Sequence, residues 1–381
     1  MFDFDETIPR RGTSCIKWDS VPEDVIPMSI ADSDWAAPRA VTDAVSERLR
    51  GHPVFGYGRE DGALHDTVVA WYKRKYGVSI EKSWLLTIQG IVPALSQLSK
   101  LADGGVLAGT PNYSMLLDAP ARAGRRMITS PLTERRDGNR LTYEYDFADL
   151  ERRADGGAEI LYLCDPHNPV GKVYSRGELK AIADFAAAKN LITVSDEIHC
   201  EIVYGSEHIP YISVAPENSI TLIAPGKICN IPGIPIALAV VPNEGLRNSV
   251  RKTLGMGGPG ALNIAACRGA FSEECDGWKN ALVAYLRANR DYLETELPKR
   301  FPKARFPRSD GTYLQWLDLT EYGQGLGLTE FDAQKLIFDR ARVALTAGEG
   351  FGGTKAHVRL NFATSRAVLT KALDRIQEVL R

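Results

Sequence analysis

The sequence lacks the features by which several classes of protein are recognised. No stretch of the 381 residues approaches the roughly 18 apolar residues of a membrane-spanning helix. The charged N-terminus, Met1 to Arg10, has no apolar core of the kind found in signal peptides. No block of Lys and Arg is long enough to follow a polyphosphate backbone, and the formal net charge is only -2. We therefore expect a soluble, cytoplasmic protein that binds neither membrane nor nucleic acid and whose substrate is small.

The sequence also lacks the cysteine spacing of a disulfide framework or a zinc site. Its six cysteines are scattered without a CxxC pair, which fits reduced thiols buried as small apolar residues. We accordingly predict no structural metal. With 44% hydrophobic and 25% charged residues, the chain has enough apolar material for a large globular core.

What the sequence does contain is a series of short apolar runs that alternate with helical patterns. Between the runs Glu159 to Cys164 and Leu191 to Ser195 lies the segment Ser175 to Asn190, which begins with a plausible cap and places apolar residues at helical spacing. This order predicts a mostly parallel α/β sheet, whose ligands collect at the carboxyl ends of the strands. The runs are Glu159 to Cys164, Leu191 to Ser195, Ser219 to Ala224 and Ala237 to Pro242.

The pattern changes after about residue 280, where a second, smaller domain is predicted. A long helical stretch, Trp278 to Leu297, is followed by strands at Gly311 to Leu319 and Val358 to Phe362, and by a helix from Ser365 to Leu380. We expect a large domain over residues 48–285 and a smaller α+β domain built from residues 1–47 and 286–381.

Three polar residues each follow one of the apolar runs. Taken singly, Asn168 reads as part of a turn, Asp196 as a helix cap and Lys227 as an exposed lysine. Because the carboxyl ends of parallel strands share one edge of the sheet, together they place an amide, a carboxylate and an amine around one crevice. These are the groups that bind the ring of pyridoxal 5'-phosphate (PLP).

The chemistry of PLP explains these residue types. Its ring nitrogen must stay protonated, and a buried carboxylate such as Asp196 favours that cation. Asn168 can donate a hydrogen bond to the phenolate oxygen. Lys227 can hold the aldehyde as a Schiff base because desolvation lowers its pKa, and once substrate has displaced it the free amine can act as a base.

Three further positions complete the predicted site. The backbone of Gly90, Ile91 and Val92 opens a helical stretch and can receive the phosphate, although a simple turn is an equal alternative. Tyr113 can stack on the ring, although an isolated tyrosine is more often packing. Arg359, in an alternating apolar strand, is either a structural ion pair or a two-donor clamp for an amino-acid carboxylate, which we favour.

These segments resemble the fold-type I PLP enzymes and, within them, the cystathionine β-lyase-like (MalY/PatB) branch of the class I/II aminotransferase family. The resemblance covers nearly the whole chain. It is carried by Phe2 to Asp19, Ile30 to Pro38, Val54 to Asp61, Gln89 to Leu95, Cys164 to Leu179, Val194 to Tyr204, Gly226 to Gly233, Gly311 to Leu319 and Val358 to Arg366.

The resemblance implies an aspartate-aminotransferase-like fold, with a mostly parallel seven-stranded sheet in the large domain. It also implies a homodimer with shared active sites, in which Tyr57 reaches the phosphate of the neighbouring subunit. By the same resemblance, Tyr113 stacks on the cofactor ring and is, with Lys227, a catalytic residue. The resemblance also places His199 against the cofactor.

On the substrate side, the resemblance assigns the clamp to Arg359 and substrate-side positions to Asp32, Ser33 and Trp35. The chain also departs from the family pattern. Gly226 and Pro235 replace a hydroxyl and a cation that usually hold the phosphate, Asp165 replaces an Asn and Ser33 a Met. The changes at Gly226 and Pro235 leave fewer side chains to bind the phosphate.

Four functions are compatible with the sequence. The first is a carbon-sulfur β-lyase that cleaves a cysteine S-conjugate or a cystathionine-like thioether to thiol, pyruvate and ammonia. The second is an aminotransferase on an amino acid and 2-oxo acid pair. The third is another PLP reaction, such as decarboxylation-coupled deamination in a biosynthetic pathway. The fourth is a regulatory binding protein, against which the retention of Lys227, Asp196, Asn168 and Arg359 argues.

Overall fold

A computed structural model describes residues 2–58, 61–255, 258–325 and 331–381. Arg59 and Glu60, in the segment Val54 to Asp61 that carries part of the family resemblance, lie outside the described residues.

The centre of the chain forms the predicted seven-stranded sheet. Six strands are parallel, and Ala237–Val240 runs antiparallel to both of its neighbours. All four apolar runs are strands, within one or two residues of the predicted bounds. From one edge to the other the strands are Leu85–Ile88, Ala237–Val240, Ser219–Ile223, Ile192–Asp196, Ala158–Cys164, Gly105–Thr110 and Met127–Pro131.

Helices cover both faces of this sheet because the central strands are apolar on both sides. Ile160 and Val194 pack on one face under helices Ile91–Leu98, Ser114–Arg122 and Glu244–Leu254. Leu161 and Leu163 pack on the other face. The helices on that side are Gly62–Tyr76, Phe147–Ala154, Arg176–Ala188 and Ala261–Phe271.

The predicted cap at Ser175 is confirmed. Its hydroxyl accepts a hydrogen bond from the Glu178 N–H, and the Glu178 carboxylate accepts one from the Ser175 N–H, which forms a capping box. This fixes where helix Arg176–Ala188 begins, directly after the loop that contains Asn168.

In the part of the chain that the structure describes, three smaller sheets lie outside the central sheet and are built largely from the two ends of the chain. Leu314–Asp318, His357–Asn361 and Thr346–Ala347 form an antiparallel sheet, and Ile26–Pro27 pairs with Val343–Ala344. Hairpin Thr133–Asp137 and Arg140–Glu144 adds Phe306–Pro307. The helices are Ile16–Asp19, Arg39–Gly51, Asp276–Arg300, Thr320–Gly325, Ala333–Leu336, the π-helix Ile337–Ala341 and Arg366–Val379.

Helix Asp276–Arg300 runs through the expected domain boundary at 285/286 without interruption. The division into domains therefore stays a prediction. None of the helices in the described ranges is long and apolar enough to cross a membrane.

Candidate active site

A cavity of about 690 Å³ opens where the central strands end. Its walls come from the sheet, from the start of helix Ile91–Leu98, and from the C-terminal strands around Arg359. Nine of the thirteen residues predicted for the site from the sequence line it: Gly90, Ile91, Val92, Tyr113, Asn168, Asp196, His199, Lys227 and Arg359.

Lys227 lies just beyond strand Ser219–Ile223, and its side chain is partly buried. Its Nζ donates a hydrogen bond to the Ala31 carbonyl at 2.6 Å. Burial, and then the positive charge of Arg359, lower the pKa of Lys227 to about 8. A substantial fraction of this amine is therefore neutral near physiological pH, as a nucleophile and a base require.

Asp196 is the last residue of strand Ile192–Asp196 and is also buried. Burial raises its pKa to about 7, although its carboxylate accepts a hydrogen bond from the Ile198 N–H at 3.1 Å. Such a carboxylate gains most from a cation placed beside it, because Coulomb attraction offsets the lost hydration. A protonated ring nitrogen would supply that cation.

Arg359 and Asn168 are directly linked across the cavity. Arg359 Nη1 donates to Asn168 Oδ1 at 3.1 Å, and its Nη2 donates to the Ser29 carbonyl at 3.0 Å. Its buried Nε has no hydrogen-bond partner among the described residues, and burial lowers the pKa of Arg359 to about 10. This guanidinium therefore makes its hydrogen bonds to neutral acceptors, and a substrate carboxylate can complete its charge pairing.

Helix Ile91–Leu98 presents its N-terminus to the cavity. Gly90, its N-cap, has φ 155° and supplies no side-chain cap, so the first backbone N–H groups are available to an anion. Gly226 and Pro235 also line the cavity, but they offer neither a hydroxyl nor a cation. Within this chain, an anion here is left mainly with backbone donors.

Two aromatic rings complete the wall. Tyr113 caps helix Ser114–Arg122, and burial together with the charge of Asp196 raises its pKa to about 12, so its hydroxyl stays protonated. His199 lies edge-on to Tyr313, with ring centroids 5.7 Å apart. Burial and the nearby Lys227 lower the pKa of His199 well below its usual value, and its Nδ1 has no partner in the described part of the chain.

The other four predicted residues do not line this cavity. Ser33 is buried, and its N–H donates a hydrogen bond to Asn230 Oδ1 at 3.1 Å. Tyr57 is fully exposed and borders a separate surface cavity beside helix Ala261–Phe271. Trp35 is buried in the core, where its indole N–H donates to the Phe4 carbonyl. Asp32 is paired with Arg10 and Lys17. The roles assigned to Tyr57, Trp35, Asp32 and Ser33 stay predictions.

Carbonyl groups of the N-terminal segment, which were not predicted from the sequence, also face the site. The Ala31 oxygen accepts from both Lys227 and the Tyr313 hydroxyl, and the Ser29 oxygen accepts from Arg359. Thr346 also contacts Arg359 through its hydroxyl at 3.3 Å. A backbone acceptor carries no side-chain signal, so no motif could have indicated it.

The donor set fits PLP. The cavity offers an amine with a lowered pKa, a buried carboxylate, an amide, and a helix N-terminus without a side-chain cap. In the described residues, no cluster of His, Cys, Asp or Glu is arranged to hold a metal ion.

The model of the aminotransferase class I and II family matches residues 23–376. The chain belongs to this family. The predicted aspartate-aminotransferase-like α/β fold is thereby confirmed.

Within the class I and II family, the relatives are those of the predicted branch. The chain is 32% identical to cystathionine beta-lyase PatB of Bacillus subtilis, over 99% of this chain and 100% of that protein. It is 29% identical to protein MalY of Escherichia coli, over 100% and 99%. The PLP-bound C-S lyase of Staphylococcus hominis superposes with a TM-score of 0.92 at 29% identity, over 100% and 98%. The placement in the MalY/PatB branch is therefore confirmed.

Proposed function

We propose that this chain is a PLP-dependent carbon-sulfur β-lyase that acts on a cysteine S-conjugate or a cystathionine-like thioether in the cytoplasm. The observation that carries the proposal is one cavity in which a partly buried amine of lowered pKa lies with Asp196 and a guanidinium whose Nε has no partner in the described chain. The similarity to PatB and to the C-S lyase of S. hominis supports cleavage at sulfur.

Each side chain then has a defined task. When bound, PLP supplies an electron sink that makes the Cα–H bond of an amino acid acidic. Lys227 Nζ takes the Cα proton, and Arg359 holds the α-carboxylate in a two-donor fork. Asp196 balances the ring-nitrogen charge, and Asn168 donates to the phenolic oxygen. The C–S bond breaks with its electron pair going to sulfur, so that thioether plus water gives thiol, pyruvate and ammonium.

The fate of the amino group tests this proposal against the aminotransferase alternative. We expect thiol, pyruvate and ammonium in equal amounts over many turnovers, with no dependence on an added 2-oxo acid. The measurement is thiol titration together with pyruvate assay, in the presence and absence of 2-oxoglutarate. Stoichiometric transfer of the amine to the 2-oxo acid, without thiol release, would contradict the lyase.

We also propose that the enzyme is a homodimer in which Tyr57 binds the phosphate in the partner's cavity. The support is that Tyr57 is fully exposed, with Val54 and Phe55 also exposed beside it. Such an apolar segment is typical of a surface covered by another protein. Gly226 and Pro235 leave the phosphate short of donors within one chain.

Tyr57→Phe is expected to weaken PLP binding by roughly tenfold, because a hydrogen bond to a charged group contributes about 1.5 to 3 kcal/mol. Gly226→Ser should strengthen binding by less, since it only adds a possible donor. A Cβ at position 226 would lie 3.8 Å from Pro232 Cα, so the serine fits. Titration of each apo-enzyme with PLP is the measurement, and an unchanged constant for Tyr57→Phe would show that other groups hold the phosphate.

A further inference from the structure

A second group of buried titratable side chains lies behind the floor of the cavity. Cys164 and Asp196 are paired residues of neighbouring strands, and both line the cavity. Asp165 follows Cys164, and Glu197 follows Asp196. Neither Asp165 nor Glu197 lines the cavity, as expected where successive side chains alternate between the two faces of a sheet. Both contact His208 instead. We call Asp165, Glu197 and His208 the back cluster.

One side of the back cluster is fully hydrogen-bonded. His208 Nε2 lies 2.8 Å from Glu197 Oε2. The other oxygen of Glu197 accepts from the Ser195 hydroxyl at 3.0 Å and from the Tyr211 N–H at 2.9 Å. Glu197 is thus a fixed acceptor that orients the His208 ring.

The other side is incomplete. Asp165 Oδ1 accepts a hydrogen bond from the Tyr174 N–H, but the buried Asp165 Oδ2 and His208 Nδ1 have no hydrogen-bond partner among the described residues. These two atoms face each other at 3.5 Å. A proton on either atom gives the other a partner, whereas without a proton two buried acceptors oppose each other.

We propose that His208 and Asp165 share a proton behind the cavity floor. This proton, acting through Glu197, keeps Asp196 ionised, and Asp196 is the partner of the cofactor's ring nitrogen. His208 and Asp165 are then positioning residues. The inference rests on the proposed function, in which Asp196 pairs with the PLP ring.

The charges around the cluster support the shared proton. Burial raises the pKa of Asp165 to about 7. Burial alone would lower the pKa of His208, but the charge of Glu197, the hydrogen bond to it and the charge of Asp165 together raise that pKa. The ring of Tyr76 packs edge-on against His208 at 5.6 Å, and burial keeps its hydroxyl protonated. Glu178 also acts on Asp165, but it is paired with Lys172 at the surface.

The cluster reaches Asp196 by a short route. Asp196 is joined to Glu197 by one peptide bond, and the Asp165 N–H donates to the Asp196 carbonyl at 3.0 Å. After burial, the negative charge of Glu197 is among the causes that raise the pKa of Asp196. Loss of the shared proton leaves two anions behind Asp196, which favours its protonation and removes the partner of the ring nitrogen.

The pH dependence of ligand binding tests the proposal. The probe is 4-deoxypyridoxine 5'-phosphate, which has a methyl group in place of the aldehyde and cannot bond to Lys227. Its dissociation constant is measured from pH 6 to 10 by fluorescence titration of apo-enzyme. In the His208→Gln variant, affinity for the probe should fall at a pH about one unit lower than in the wild type. At pH values between the two midpoints, the variant should therefore bind the probe roughly tenfold more weakly than the wild type.

The double variant separates electrostatics from structure. Asp165→Asn in the His208→Gln background removes the second anion, so the alkaline limb should return toward the wild-type position. Asp165→Asn alone should leave the limb in place or move it to higher pH. Asp184→Asn, on the exposed face of helix Arg176–Ala188, is the matched control and should change nothing.

The outcomes are distinguishable. A double variant as impaired as His208→Gln, or a His208→Gln curve that matches wild type at every pH, would overturn the shared-proton role. A wild-type chain that binds neither PLP nor the probe would instead overturn the proposed function.

Discussion

Lys227→Ala should lower turnover by on the order of 10³-fold or more, because in the proposed function one amine both bonds to the cofactor and moves the Cα proton. The fold should remain intact, since Nζ makes only one described hydrogen bond, to the Ala31 carbonyl. Burial lowers the pKa of Lys227 from 10.5 to about 8, so below pH 8 the folded state carries the cost of a buried cation. The apo variant should therefore be at least as stable as wild type at pH 7.

Two measurements check this expectation. Borohydride reduction of the wild-type holoenzyme, followed by peptide mapping, should label Lys227, and label on a different lysine would contradict the assignment. Thermal unfolding of the apo forms reports on stability. Lys180→Ala is the matched control, because that lysine lies on an exposed helix face and forms its ion pair with Asp184, four residues along the same helix.

Arg359→Lys is expected to lower kcat/KM for the amino-acid substrate by roughly 10- to 100-fold, with little change in PLP affinity. Lysine keeps the charge, but it loses the planar fork that can bind both oxygens of a carboxylate. It also loses the simultaneous contacts of Arg359 with Asn168 and the Ser29 carbonyl.

Steady-state kinetics on an amino acid and on its decarboxylated amine provide the measurement. The wild type should prefer the amino acid strongly, and the variant much less. Arg290→Lys is a suitable control, since Arg290 is equally buried but stacks on Tyr204 away from the cavity. Equal wild-type kinetics on both compounds would rule out a carboxylate clamp.

The sequence predicts those parts of the site that come from regular structure. Asn168, Asp196 and Lys227 follow apolar runs, and the parallel order of the strands brings their ends together. Arg359 could be singled out because a guanidinium in an apolar strand is costly unless it has a partner. In each case a local pattern and a rule of sheet topology were sufficient.

The remainder depends on loops that approach the sheet from elsewhere. His208 lies outside any strand, and nothing in its local sequence indicates that it meets Asp165, 43 positions earlier in the chain. The course of the N-terminal segment also depends on contacts between residues that are far apart in sequence. Trp35 lies in the core because Phe4 and Tyr285 surround it, and this packing involves three distant parts of the chain.

The link between Ser29 and Arg359 has a consequence for biosynthesis. These two residues are 330 positions apart, and Ala31 is 196 positions from Lys227. A nascent chain can form the central sheet as soon as its strands have left the ribosome, but contacts this distant in sequence form late. The emerging polypeptide therefore acquires Lys227 and helix Ile91–Leu98 before Arg359 can bond to the Ser29 carbonyl, so the side of the cavity around Arg359 is the last to be completed.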